Sequence, residues 1–510
     1  MVLIDSIAAA GLQDPESTST QIPSFVTKIP DGSEKGIYLA ADLGGTNFRV
    51  SIVQLHGDST YNVKQSKVAI PSDLLITESW KPLFAFLANH IYHFLQANDP
   101  NISCLNGKPR NEFRRLGFTF SFTVHQTSIN TGTLIRWDKG FDIPSAIRRD
   151  PCQMLQEELD ALRAPVLVTA LVNDSVATYM AQQYVCGGRA VLGGIFGTGT
   201  NGAYLDDLAA VGRVSSSVKT ALSSPPNHVV INTEWGGFDD HAHLLPTVQY
   251  DLDLDKSSLH PGEQRYEKML SGMYLGELFR RAVLAAFEHD VRHLAIRTSS
   301  PLFQPWQIQT SLLSLLAGDS SDGHAKCREE LLSAFELESL TLEEVQGMRT
   351  IAAAISKRAA RLAGIAISAV ILKTEALQSP STQELPVAKP EPSLVPQGNS
   401  SGTTTVFTQM YRLLSTFARP WPSLADLQRC MYWKGDRISP DQDKDDKNHQ
   451  PIYIGLDGTL AALLPGFTPG IRSTFRDVAG IGEEGDRRIR ITLLQDASSV
   501  GTALVAQAAG

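Results

Sequence analysis

The sequence predicts an α/β protein built from two related halves, and three observations carry that prediction. At 510 residues, the chain is longer than one hydrophobic core supports. Apolar strand-like runs alternate with stretches of helical spacing along most of its length. A strand–glycine turn–strand unit occurs twice, around Gly44 in "YLAADLGGTNFRV" and around Gly197 in "AVLGGIFGTGTNGAYLDD". The two units lie roughly 150 residues apart, which suggests duplicated halves rather than a short-period array.

Residues 1–35 form a polar, Pro/Ser-rich N-terminal segment, expected to be partly disordered. "IYLAADL" and "FRVSIVQL" read as paired strands around a tight turn, and "TESWKPLFAFLANHIYHFLQ" as a helix. "RRLGFTFSF" and "PVLVTALVND" are strands, with the helical "SVATYMAQQYV" behind the second. "SGMYLGELFRRAVLAAFEHDV" and "SKRAARLAGIAISAVILKT" have the broad apolar faces of buried helices. Residues 375–450 open in Pro, Ser and Gly and close in charge, as linkers do, around a more apolar centre. "IYIGLDGTLAALLPGF" then reads as strand, turn and strand, "IRITLLQD" as a last strand and "SSVGTALVAQAA" as a short helix.

Composition narrows the class. Hydrophobic content of 42% and charged content of 19% are those of an ordinary globular protein. A net charge of −9 argues against a nucleic-acid partner or a basic membrane-binding surface. The five cysteines are scattered, without a CxxC pair, which fits a reducing compartment. No apolar run reaches the roughly 18 residues that span a membrane, and "MVLIDSIAAAGLQD" lacks signal-peptide character, so a cytoplasmic protein is expected.

The first hairpin is neither a Walker loop nor a dinucleotide fingerprint, because a strand, not a helix, follows its glycines. Gly44 and Gly45 allow backbone N–H groups close to an anion, with Thr46, Asn47 and Arg49 as further donors; an ordinary Gly-Gly turn has the same signature. Asp42 could hold a metal through water. Asp174 ends a strand and opens a helix, where a carboxylate serves as general base or as helix cap. Glu234, Gln264 and Glu267 could hold neighbouring sugar hydroxyls, or be solvated surface groups.

In their order along the chain these segments resemble the eukaryotic hexokinase family, within the actin-like kinases. The segments are "DLGGTNFRV", "LGFTFSFTVHQTSINTGTLIRWDKGFDI", "LVNDSVATY", "IFGTGTNGAYLDD", "NTEWGGFDD", "PGEQRYEKMLSGMYLGEL" and "GLDGTL". The resemblance implies a two-lobed actin-like (ribonuclease H-like) ATPase fold with a cleft between the lobes. It places the small lobe at 36–173, with a C-terminal helix at 499–510 packing on it, and the large lobe at 174–498, interrupted by 375–450. It implies transfer of the ATP γ-phosphate to the 6-hydroxyl of a hexose, the first step of glycolysis, with Mg²⁺. Asp174 would be the base. Ser121, Phe122, Lys139, Asn173, Asn201, Glu234, Gln264 and Glu267 would hold the sugar. Gly44, Gly45, Thr46, Asn47, Arg49, Lys67, Gly197, Thr198, Asp457, Gly458, Thr459 and Ser498 would face the nucleotide, and Asp42 the metal through water.

The chain also departs from the family pattern. Asp138 stands where threonine is usual, Thr123 for proline, Ala177 for glycine, and Ala497 and Ser499 for two glycines of a turn. A non-glycine residue forced to positive φ there would strain that turn by about 1–2 kcal/mol. The 375–450 stretch replaces a short connector and reads as a partner-binding insert, a passive loop or translated intron. Two functions therefore stand: an active hexokinase, or a catalytically weak hexokinase-like regulator of carbon response that binds sugar or nucleotide, as in atypical fungal members.

Overall fold

Each glycine hairpin opens a sheet of the same topology. The computed structural model describes residues 22–45, 47–105, 107–137, 139–207, 228–240, 244–286, 299–378 and 450–509. In chain order the strands are β1 (Ile22–Pro23), β2 (Lys35–Leu43), β3 (Asn47–His56), β4 (Tyr61–Ala69), β5 (Arg114–Phe120), β6 (Thr123–Ser128) and β7 (Thr131–Arg136). They continue as β8 (Val166–Val172), β9 (Ala190–Phe196), β10 (Thr200–Asp207), β11 (His228–Asn232), β12 (Ile452–Asp457) and β13 (Ile489–Leu493). The helices begin with α1 (Lys81–Asn98), α2 (Pro151–Ala161), α3 (Asp174–Val185), α4 (Gln249–Lys256), α5 (Arg265–Leu270) and α6 (Gly272–Ala286). Then follow α7 (Ser311–Gly318), α8 (Ala325–Phe335), α9 (Leu342–Lys373), α10 (Thr459–Leu463), α11 (Phe467–Asp477), α12 (Gly482–Arg488) and α13 (Ala497–Ala508).

The first sheet runs β4-β3-β2-β5-β8 and the second β1-β11-β10-β9-β12-β13. In both, an antiparallel three-strand meander (β2–β4, β9–β11) is extended by two parallel strands (β5 and β8, β12 and β13). With β1 set aside, the strand order is the same, so the halves are duplicated. Residues ahead of Lys35 join the second sheet, not the first: Ile22 sits in register with Asn232. β2 is buried on both faces at Leu39, Ala40, Ala41 and Leu43 because helices cover the sheet on each side. On one side α1 buries Leu83, Phe84, Leu87, Ala88, Ile91 and Leu95, a helical stripe. On the other lies α13.

α3 and α13 exchange lobes. α3 follows β8 of the first sheet but packs on β9, β10 and β12 of the second. α13 follows β13 of the second sheet but packs on β2, β5 and β8 of the first. They cross where Gly501 meets Ala177: a Cβ on Gly501 would lie 1.7 Å from the Ala177 carbonyl oxygen. The close approach at Ala177, where the family pattern has glycine, is therefore made by the glycine of the partner helix.

Two readings need correction. "IYIGLDGTLAALLPGF" is strand then helix, not strand–turn–strand. Gly458, at φ 106, turns the chain, and Leu460 and Ala461 of α10 bury one face while Leu463 stays 67% exposed. A helix of five residues is too short to show its period in sequence. Nor is Ala497 or Ser499 at positive φ; Asp496 takes that conformation instead, at φ 53, and both later residues are ordinary helix. The start of the expected insertion is also ordered: the carbonyl of Leu377 accepts from Arg488, 2.7 Å away, within the second lobe. The rest of it, 379–449, lies outside the described residues. Among described residues no helix is long and apolar enough to cross a membrane.

Candidate active site

The first hairpin closes through Gly44 N–H donating to the Asn47 carbonyl (3.0 Å). Register places Asp42 opposite Arg49, and Arg49 opposite Lys67, so an acid and two bases form one row across three strands. That row shares its face with Ser51 and Thr119, whose hydroxyls meet Ser499 (2.9 Å) and Thr502 (2.6 Å) of α13. The row therefore lies beside the first turn of α13, where the Ser498 Oγ is buried without a hydrogen-bond partner. Burial pushes the Asp42 carboxyl up to about 6; Arg49 pulls against it, and the charge of Asp174 adds to it. Gly45 packs closely on Lys139: a Cβ there would sit 3.0 Å from the Lys139 Cβ, so that side chain would have to shift slightly. Thr46 and Asp138 lie outside the described residues.

Lys139 donates through Nζ to the Ser121 carbonyl (2.7 Å), with Nζ 5.2 Å from the Phe122 ring centroid. Phe122 is held edge-on by Trp137 and Phe141. Asn173 caps α3, its Oδ1 accepting from Ser175 N–H (2.9 Å), and Asp174 Oδ1 accepts from the same N–H (2.8 Å). Asp174 thus belongs to a first helical turn, where negative charge is favoured.

The second hairpin closes through Gly197 N–H and the Gly199 carbonyl (3.0 Å). The start of α6 is laid along it: Gly272 N–H donates to the Gly197 carbonyl (2.7 Å) and Met273 N–H to that of Thr198 (3.0 Å). Gly458 touches it from the other side, and a Cβ there would fall 2.4 Å from the Phe196 carbonyl oxygen. The Asp457 Oδ1 accepts from Gly458 N–H (2.6 Å), and burial raises this carboxyl above its ordinary range. Gly197, Thr198, Asp457, Gly458 and Thr459 are thereby gathered.

Between the hairpins lies an amide–carboxylate network. Asn201 Nδ2 donates to Asn232 Oδ1 and to Glu234 Oε1, each at 2.9 Å, and Asn232 Nδ2 donates to Glu234 Oε1 at 2.7 Å. Ser175 Oγ donates to Asn173 Oδ1 (2.6 Å) and Asn232 Oδ1 (3.1 Å), tying the network to the start of α3. The Glu267 Oε2 accepts from Thr200 N–H (2.9 Å), and the Gln264 Oε1 sits against Gly236. Burial raises Glu234, opposed by its two asparagine donors, and lifts Glu267 to about 7. The charge of Asp174 adds to the upward shift of carboxyls in both lobes, at Asp42, Glu234, Glu267 and Asp457.

Sequence reasoning missed Asn232, the hub of the network, two residues before Glu234. It also missed the backbone: Lys139 (φ 58), Glu234 (φ 47) and Gln264 (φ 55) all sit at positive φ, which few non-glycine residues adopt. Nothing in their local sequence signals it.

Duplicated sheets, paired glycine hairpins and carboxylates converging from both lobes define a two-lobed actin-like kinase. The particular family follows from comparison. Family models described as hexokinase match residues 4–184 and, in a second model, 191–415 with 422–508. The chain belongs to the hexokinase family. It is 36% identical over 515 residues to the glucokinase of Aspergillus niger, covering 97% of this chain and 90% of that one. It is 33% identical over 504 residues to glucokinase-1 of Saccharomyces cerevisiae, covering 95% and 87%. The solved hexokinase of Schistosoma mansoni, complexed with glucose, superposes with a TM-score of 0.66 at 28% identity, covering 99% of this chain and 93% of that one.

Proposed function

We infer that this chain transfers the γ-phosphoryl group of ATP to the 6-hydroxyl of a hexose, glucose being the first sugar to test. One observation carries the reading: Asp174 opens α3, the helix that leaves the first sheet and packs on the second, and the adjoining Ser175 is hydrogen-bonded into the Asn232–Asn201–Glu234 network. A base that must take a hydroxyl proton while phosphate arrives from the opposite side needs that position.

In this reading Glu234, Glu267, Gln264, Asn201, Asn173, Lys139 and the Ser121–Phe122 backbone hold the sugar hydroxyls. Carboxylates accept, amides and the ammonium donate, and the mixture fixes the ring in one orientation. Asp174 accepts the proton of the 6-hydroxyl. Gly44, Gly45, Asn47, Arg49 and Lys67 receive the transferring phosphate, and Gly197, Thr198, Asp457, Gly458 and Thr459 the rest of the nucleotide. Arg49 and Lys67 supply positive charge beside the acidic cluster.

The residues fit Mg²⁺ held mainly by phosphate and water. No group of three metal-binding side chains exists among the described residues, while Asp42 offers one half-buried hard-oxygen donor at the strand end before the first hairpin. Bound there, Mg²⁺ would neutralise phosphate charge. Closure of the lobes about the α3–α13 crossing would exclude water.

Two departures that favoured a weak or inactive regulator lose their force: Gly501 accommodates Ala177, and neither Ala497 nor Ser499 is strained. The test is a coupled assay of ADP formation with glucose, fructose and mannose. Turnover abolished by Asp174→Ala is expected. Sugar-dependent thermal stabilisation with no turnover in the wild type refutes the kinase reading and leaves the regulator.

A further inference from the structure

We propose that Asp255 is a positioning residue for hexose recognition, acting through the segment that carries Gln264 and Glu267. The proposal rests on the reading that those two residues hold the sugar. Asp255 lies in the last turn of α4, 7% exposed, and reaches three points of the following chain. Its Oδ1 accepts from Lys268 Nζ at 2.6 Å and from Gly262 N–H at 3.0 Å, and its Oδ2 pairs with the Arg265 guanidinium at 3.3 Å. Lys268, 4% exposed, also donates to the His260 carbonyl at 2.7 Å. One carboxylate thus staples residues 260–268 from behind, and Gln264 and Glu267 project from the stapled segment towards Gly236 and Thr200.

The staple has a rigid base. Asp251, one turn earlier on α4, pairs with both terminal nitrogens of Arg358 on α9 at 2.7 Å each. On the site side, Asp240 Oδ1 accepts from Arg265 N–H at 2.9 Å. The run α9–Asp251–Asp255–Lys268 therefore transmits the position of the long helix to the sugar wall. The strained φ of 55 at Gln264 persists only where its surroundings over-determine it, and this network surrounds it. Replacing a buried ion pair by apolar packing of equal volume is often neutral or stabilising, so stability alone does not account for the network, whereas the geometry it fixes does.

Asp255→Asn leaves a buried lysine uncompensated, so the paired variant Asp255→Asn/Lys268→Met, which removes both charges, is made beside it. Glu267→Gln serves as the reference for the sugar wall. Initial rates are measured against glucose at saturating ATP and against ATP at saturating glucose, with melting temperatures for each variant. The expected result is a glucose KM raised tenfold or more in both Asp255 variants, with the ATP KM within twofold of wild type. A folded paired variant whose glucose KM stays within twofold, or whose two KM values rise together, overturns the proposal. Should Glu267→Gln itself leave the glucose KM unchanged, the sugar-wall reading fails and the proposal with it. A Glu267→Gln defect without an Asp255 defect removes the positioning role alone.

Discussion

Glu267 gives the sharpest stability prediction, because it is a site carboxylate held at a cost. Burial raises it from its ordinary 4.5 to about 7, with Glu234 and Asp174 adding to the rise and the Thr200 N–H and Lys139 opposing it. A shift of that size corresponds to roughly 3 kcal/mol at about 1.4 kcal/mol per unit. The side chain borders the cleft, so solvent screening reduces the expected effect to about 1–2 kcal/mol. The sign follows from linkage. A group raised on folding contributes its stability fully below about 4.5, where it is protonated in both states, and that contribution is lost as pH rises through about 7. Glu267→Gln keeps the shape and an acceptor for Thr200 N–H but carries no charge. Thermal unfolding without sugar, from about pH 4 to 8, should give nearly equal melting temperatures at the acid end. At pH 7.5 and above the variant should melt higher by roughly 2–8 °C, at about 2–4 °C per kcal/mol for lobes of this size. Parallel curves for the two proteins across that range refute the reasoning.

Asp174→Asn should lower kcat by about 10²–10⁴-fold while glucose still stabilises the protein, as read by sugar-dependent melting; loss of both together would argue for a structural role. Gly501→Ala puts a methyl 1.7 Å from the Ala177 carbonyl oxygen and should destabilise by about 3 kcal/mol or more, whereas Ala177→Gly should cost only about 1 kcal/mol and keep activity. Equal melting temperatures for Gly501→Ala and wild type would mean the helices do not cross there. Ser499→Ala leaves the buried Ser51 hydroxyl without its partner and should cost about 1 kcal/mol in a denaturant titration. No cost would mean that the Ser51–Ser499 contact contributes nothing net.

Much of the fold was legible because its signals are local. Two apolar runs broken by glycine pairs give β2–β3 and β9–β10, and Asp174 stands where a strand gives way to a helix. The β12–α10 unit was misread because Leu and Ala in so short a run fit either period. The strain expected at Ala497 and Ser499 was misplaced because a turn can move its positive φ by one residue, here to Asp496. Asn232 was overlooked because an asparagine beside a glutamate carries no pattern. Its importance lies in contacts with Ser175 and Asn201, distant in sequence.

By itself the sequence determined the chemistry available: which residues could hold anions, accept protons or bind hydroxyls, and that the chain has two halves. Only the tertiary structure decided that they converge. Asp42 and Arg49 sit on one sheet, Asp457 on the other with Glu234 just past the end of its β11, and Asp174 at the start of the helix that joins them. Local propensity acts over a few residues, whereas that convergence depends on two helices crossing at Ala177 and Gly501. There one missing side chain lets the backbones approach more closely than any residue with a Cβ allows.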